Sequence, residues 1–165
     1  MATPVNSLAV ANYFLRKSFE NGVEITPMKL IKLVYISHGW HLGITNNPLL
    51  PEGIEAWQYG PVVTSIYNEF KHYGKKPITE LAFDINTNSY PLPTDPDILA
   101  LLDKIWDVYG RYNGLQLSSL THQQGTPWYK TWHEQGGKDD RAVLIKDELI
   151  KEHYKEKIAA PQNGH

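Results

Sequence analysis

Residues 28–42 read MKLIKLVYISHGWHL, and Met28, Leu30, Ile31, Leu33, Val34, Tyr35, Ile36, Trp40 and Leu42 put apolar or aromatic groups on nearly every face of a helix. A surface helix keeps a polar side. One without it belongs in the middle of a fold. Thr26-Pro27 supplies the start, because a threonine oxygen accepts from an orphan amide and proline at the first helical position has no amide to satisfy. Gly43, Asn46, Asn47 and Pro48 end the helix. Lys29 and Lys32, three apart, share one face near its start, which predicts one route to solvent for both ammonium groups.

The neighbouring segments supply partners for this centre. On the N-terminal side, Ser7 is positioned to cap a helix through Ala11, Phe14, Leu15 and Phe19 that Gly22 stops. On the C-terminal side, residues 49–58 contain Pro51 and Gly53 and read as a turn followed by a short extended piece around Glu55, Ala56 and Trp57. Gly60-Pro61 is expected to restart a helix with Val63, Ile66, Tyr67 and Phe70 on one stripe, closed by Gly74. A second candidate strand covers residues 80–85 through Leu81, Phe83 and Ile85.

Asp95-Pro96 opens a helix with an unbroken stripe of Ile98, Leu101, Leu102, Ile105, Trp106 and Tyr109. Asn113-Gly114 then introduces a short segment with Leu115, Leu117 and Leu120. Thr126-Pro127 gives a third cap-and-proline start, leading into Trp128, Tyr129 and Trp132, and a last helix over residues 147–157 buries Leu149, Ile150 and Tyr154. The expectation is a mainly α single domain over residues 4–158, with six or seven helices, a small β element, and a disordered tail at 159–165.

Composition excludes several classes of function. Lys plus Arg number 16 against 18 Asp plus Glu, a formal charge of −2, so no overall basic field attracts nucleic acid, and direct nucleic-acid binding is not expected. With no cysteine there are no disulfides, thiol nucleophiles or thiolate metal sites, which fits a cytoplasmic setting. The first twelve residues lack a basic region followed by an apolar run, and no window reaches the roughly 18 apolar residues of a membrane span, so neither export nor membrane insertion is expected.

Chemistry-bearing patterns are sparse. His38 and His41 stand three apart and, joined by His122 or Glu55, would define the alternative of a small metal-dependent enzyme such as a hydrolase; imidazoles hydrogen-bonded at the edge of the core explain the spacing more simply. Ser118 or Ser119 with His122 lacks a Gly-x-Ser-x-Gly elbow and reads as a helix-surface pair or a cap. No P-loop, dinucleotide-binding glycine motif or EF-hand loop occurs, and no cofactor is expected. The stretch EAWQYGPVV at residues 55–63 differs, since Trp57 and Tyr59 flank a Gly-Pro turn that fixes how they are presented; Glu55 is also a candidate ion partner for Lys29 or Lys32.

Taken together, Met28 to Tyr35, Pro48-Leu49, Glu55-Ala56-Trp57, Tyr59 to Val63 and Tyr67 resemble the SocA-like antitoxin family, the Panacea domain, formerly grouped as phage-associated proteins. The resemblance continues through Trp106, Tyr109-Gly110, Leu117, Leu120-Thr121-His122 and Pro127-Trp128 to Ile145 and Leu149. It implies a cytoplasmic antitoxin, without enzymatic activity, that neutralises a cognate toxin by direct contact. It also raises delivery of the toxin to the ClpXP protease, as one member of the family does, and is compatible with homo-oligomers. Lys29, Lys32, Trp57, Tyr59 and Trp128 are the candidate partner-binding residues, because aromatic and basic groups in a desolvated patch make suitable hot spots.

Overall fold

The structure, a computed structural model, describes residues 3–140 and 143–160. Its helices begin where short polar side chains precede an apolar stripe. Helix α1 (Ser7–Asn21) is capped by Asn6, whose side chain accepts from the Leu8 amide, rather than by Ser7. That one-residue difference frees the Ser7 hydroxyl to donate to Glu52 Oε2 at 2.6 Å. Gly22, at φ 66°, ends the helix in the left-handed conformation that glycine adopts without steric cost.

Helix α2 (Pro27–Thr45) starts at the Thr26 cap and stops at Asn46, also left-handed at φ 65°. Leu30, Leu33, Val34, Tyr35 and Ile36 are almost fully buried, as its all-round apolar pattern requires. Each large aliphatic side chain moved out of water here contributes about 1.5–3 kcal/mol, so α2 is the central element. Helices α1, α3 (Thr64–Phe70), α4 (Pro96–Tyr109), α5 (Gly114–Thr121) and α7 (Asp147–Ala159) all pack against it.

The α2–α7 contact is the tightest of these packings. A Cβ built on Gly39 would lie 2.1 Å from the Tyr154 ring, and one on Gly43 would lie 2.9 Å from Tyr154 Cβ. Two glycines four apart on one face therefore let Tyr154 reach the helix axis, where its ring meets Tyr35 and Trp40 edge to face. Ile150 and Tyr154 are buried on α7 as expected, with Leu149 only partly so.

Strands β1 (Ile54–Trp57), β2 (Gly60–Val62) and β3 (Leu144–Ile145) form one antiparallel sheet in the order β2-β1-β3. The expected extended piece at 54–57 is present, but Gly60-Pro61 belongs to its hairpin partner, and the following helix begins at Thr64. Proline is tolerated in β2 because that strand lies at the edge of the sheet.

The candidate strand at 80–85 does not form; among the described residues that region holds one isolated bridge, Asp84 to Ser89. Buried Asn12 takes the place of a neighbouring strand. Its side chain accepts from the Ala82 amide at 2.7 Å and donates to the Ala82 and Pro91 carbonyls at 2.9 and 3.0 Å.

Asp95 caps α4, and Asn113 with Gln116 forms a reciprocal capping box at α5. Thr126-Pro127 opens α6 (Pro127–Tyr129), which widens into a π-helical turn over Lys130–Glu134. No helix among the described residues is long and apolar enough to cross a membrane. The predicted tail at 159–165 overlaps the end of α7 at Ala159, and its residues 161–165 lie outside those described.

Candidate functional site

The hairpin of β1 and β2 stands against the first half of α2. Its register pairs Glu55 with Val62, Ala56 with Pro61 and Trp57 with Gly60, leaving Gln58 and Tyr59 as the two loop residues. Gly60 takes φ 117°, a conformation L side chains rarely adopt, and a Cβ there would also lie 2.9 Å from Lys32 Nζ.

Three helices grip this hairpin through side-chain donors. Trp128 Nε1 on α6 donates to the Trp57 carbonyl at 2.6 Å, Ser118 Oγ on α5 to the Tyr59 carbonyl at 2.6 Å, and Lys32 Nζ on α2 to the Pro61 carbonyl at 2.8 Å. A neutral bond such as those from Trp128 and Ser118 has a net worth of about 1 kcal/mol, and one from a charged lysine somewhat more; together the three hold a short loop that has few ladder bonds of its own. Tyr59 is left 62% exposed at the tip.

Between the hairpin and α2 lies an open groove of about 440 Å³ lined by Met28, Ile31, Lys32, Trp57, Tyr59 and Tyr67 among others, with Lys71 also bordering it. That volume is within the range of ordinary ligand pockets. Trp57 packs edge to face on Tyr67 with ring centroids 4.8 Å apart, and its Nε1 donates to Glu55 Oε1 at 2.9 Å. Glu55 therefore serves the indole and does not pair with Lys29 or Lys32.

The two lysines are buried, at 3% and 2% exposure, so the expected shared route to solvent does not exist. Lys29 Nζ donates to the Gly110 carbonyl at 2.5 Å at the C-terminal end of α4, where the helix dipole favours a cation, and lies 5.6 Å from the Trp106 ring centroid. Lys32 turns instead to the hairpin and lines the groove. Burial lowers the pKa of both, that of Lys32 to about 7. The ion pairs among the described residues are Arg16–Glu20, Lys17–Asp103, His38–Asp147 and Lys151–Glu148, and neither buried lysine is in one.

Of the five candidate partner-binding residues, Lys32, Trp57 and Tyr59 thus meet at the groove, Trp128 stands buried behind the hairpin, and Lys29 lies at the α4 terminus. The sequence did not single out Met28, Ile31 or Lys71 as groove residues, nor Ser118 as a hairpin anchor. Each is an ordinary core or surface residue in its local context.

The histidines have other tasks. His38 Nδ1 accepts from the Leu50 amide at 3.3 Å and its Nε2 faces Asp147 Oδ1 at 3.1 Å, which engages both ring nitrogens. His41 Nδ1 meets the Asn47 carbonyl at 2.7 Å, and His122 Nδ1 meets the Ser118 carbonyl, closing α5. Ser118 Oγ points to Tyr59 and not to His122. Among the described residues no group of three His, Asp or Glu side chains is arranged to hold a metal ion.

The fold and groove define a mainly helical domain that presents a braced hairpin beside an apolar cleft with a buried cation. The chain belongs to the family described as Antitoxin SocA-like, Panacea domain, whose profile matches residues 30–129. It is 31% identical over 156 residues to Antitoxin SocA of Caulobacter vibrioides (strain NA1000 / CB15N), an alignment covering 92% of this chain and 83% of that protein. No solved structure matches it. The family match begins within α2 and covers the hairpin and Trp128, so the groove's lining other than Pro27 and Met28 falls within the matched residues.

Proposed function

We propose that this protein is an antitoxin that neutralises a partner toxin by holding it directly, and that the hairpin and its groove are the holding surface. Membership in the SocA-like family carries the reading. The build of the hairpin supports it: a two-residue loop braced by donors from three helices keeps Tyr59 in place at little entropic cost on binding. Tyr59 and Trp57 touch the toxin, Lys32 acts from inside the groove, and Lys29 and Trp128 act by keeping the platform in register. The work is done in the cytoplasm, and the same grip serves either occlusion of the toxin or its delivery to ClpXP.

Co-expression with the protein encoded beside it tests the reading. Growth should be rescued and the two chains should co-purify. Failure to bind any genetically linked protein overturns the proposal. Delivery is separated from occlusion by the toxin's lifetime, which falls on antitoxin expression only in cells that contain ClpXP if delivery operates.

A further inference from the structure

The groove has apolar and aromatic walls, two lysines among its lining residues, and no carboxylate. Lys32 is the unusual member. It is an ammonium at 2% exposure whose protein acceptor is a single neutral carbonyl. An ammonium has three donors, and leaving them without charged company in a poorly hydrated site is costly. A leucine or methionine would line the same groove without that cost, though it would leave the Pro61 carbonyl without its donor. The brace to the Pro61 carbonyl uses one of the three donors, and the other two are left for something that enters the groove. Lys71, exposed and 5.9 Å from the Tyr67 ring centroid, adds a second positive charge at the border.

Resting on the reading of this face as the toxin-holding surface, we propose that the groove binds a partner protein segment carrying a carboxylate beside an apolar side chain. The apolar side chain lies between Trp57 and Tyr67, and the carboxylate is drawn to Lys32. Charge complementarity chooses the occupant. Two cations without an acid suit one carboxylate, whereas a nucleic acid would bring many phosphates toward a chain of net charge −2. A volume of about 440 Å³ suits a few side chains, not a folded element.

Three peptides test this on the full chain labelled with 13C at the lysine ε-carbons: N-acetyl-Leu-Glu-Leu-amide, N-acetyl-Leu-Gln-Leu-amide, and N-acetyl-Leu-Gln-Leu with a free C-terminus. At least one carboxylate-bearing peptide should bind about tenfold more tightly than the neutral one and shift the Lys32 signal; which of the two does so separates a side-chain from a terminal carboxylate. In Lys32→Met, checked for folding by its thermal transition, all three should bind alike. Equal binding of the three to the wild-type chain, or binding that leaves Lys32 unmoved, overturns the proposal without reference to any variant. Co-purification with the neighbouring gene product is scored separately. Peptide discrimination without co-purification keeps the groove assignment and removes the toxin reading, and the reverse result does the opposite.

Discussion

In its second half α2 meets α7 with no space to spare, glycine against tyrosine; in its first half it meets the hairpin across a groove and buries a lysine that has no carboxylate partner. The same helix thus carries one contact built for packing and one built with a deliberate polar cost. Close packing of apolar groups is what stability alone selects. A buried ammonium in an open cleft contributes less to stability than an apolar side chain would. On the proposed function, the difference falls where the first half of α2 faces the partner.

The largest expected effect breaks the packed half. Gly39→Ala improves intrinsic helix propensity by about 1 kcal/mol, yet its Cβ would overlap the Tyr154 ring at 2.1 Å. Displacing α7 should outweigh that gain and lower stability by about 3 kcal/mol, measured by urea unfolding. Unchanged or raised stability would show that α7 is not locked to α2 through this contact.

Next comes the open half, with the opposite sign. Lys32→Met should raise stability at pH 7 by about 2 kcal/mol, since a well-shaped apolar replacement avoids the cost of burying the charge, which outweighs the roughly 1 kcal/mol lost with the bond to the Pro61 carbonyl. The pH dependence is distinctive. Unfolded, the lysine holds its proton up to about 10.5; folded, it releases it at about 7. Between these values the unfolded state binds more protons, so the wild-type chain gains about 1.4 kcal/mol per pH unit from this group. The advantage of Lys32→Met should be full below pH 7, vanish about 1.5 pH units above it, and turn into a deficit on the way to pH 10. Lys29, Tyr35 and Tyr154 also titrate abnormally but are common to both proteins and cancel in the difference.

A smaller effect is expected at the brace. Ser118→Ala removes the donor to the Tyr59 carbonyl and should cost about 1 kcal/mol. Hydrogen exchange at Gln58 to Gly60 should accelerate while α7 keeps its protection, which separates the hairpin from the packed half.

The same contrast explains what was legible in the sequence. The caps at Thr26-Pro27, Asp95-Pro96 and Thr126-Pro127 and the stop at Gly22 are local devices, satisfied within a few residues, and they appear where expected. The central place of α2 follows from its own composition. Gly60-Pro61 looks like a helix start in the sequence because proline at a first helical turn and proline at a sheet edge make the same local demand. Leu81, Phe83 and Ile85 alternate like a strand, but Asn12, seventy residues away from Ala82, satisfies the backbone there instead. Local spacing sends both lysines to solvent because their acceptors, Gly110 and Pro61, come from distant segments. The groove itself is made by the meeting of α2, the hairpin and α3, so no single stretch announces it.

Tyr59→Ala should change the fold least, and that makes it the sharpest test of the contrast. The side chain is 62% exposed and the loop is held by its carbonyl, not its ring, so the loss in stability should stay within about 0.5 kcal/mol. A tyrosine at the centre of an interface contributes about 2 kcal/mol or more, which would weaken the complex with the neighbouring gene product roughly thirtyfold. A folded, stable variant with that loss assigns the tip to the partner. If affinity is unchanged and Lys32→Met still weakens binding, the partner enters the groove without engaging the tip, and the contact surface moves toward Trp57 and Tyr67.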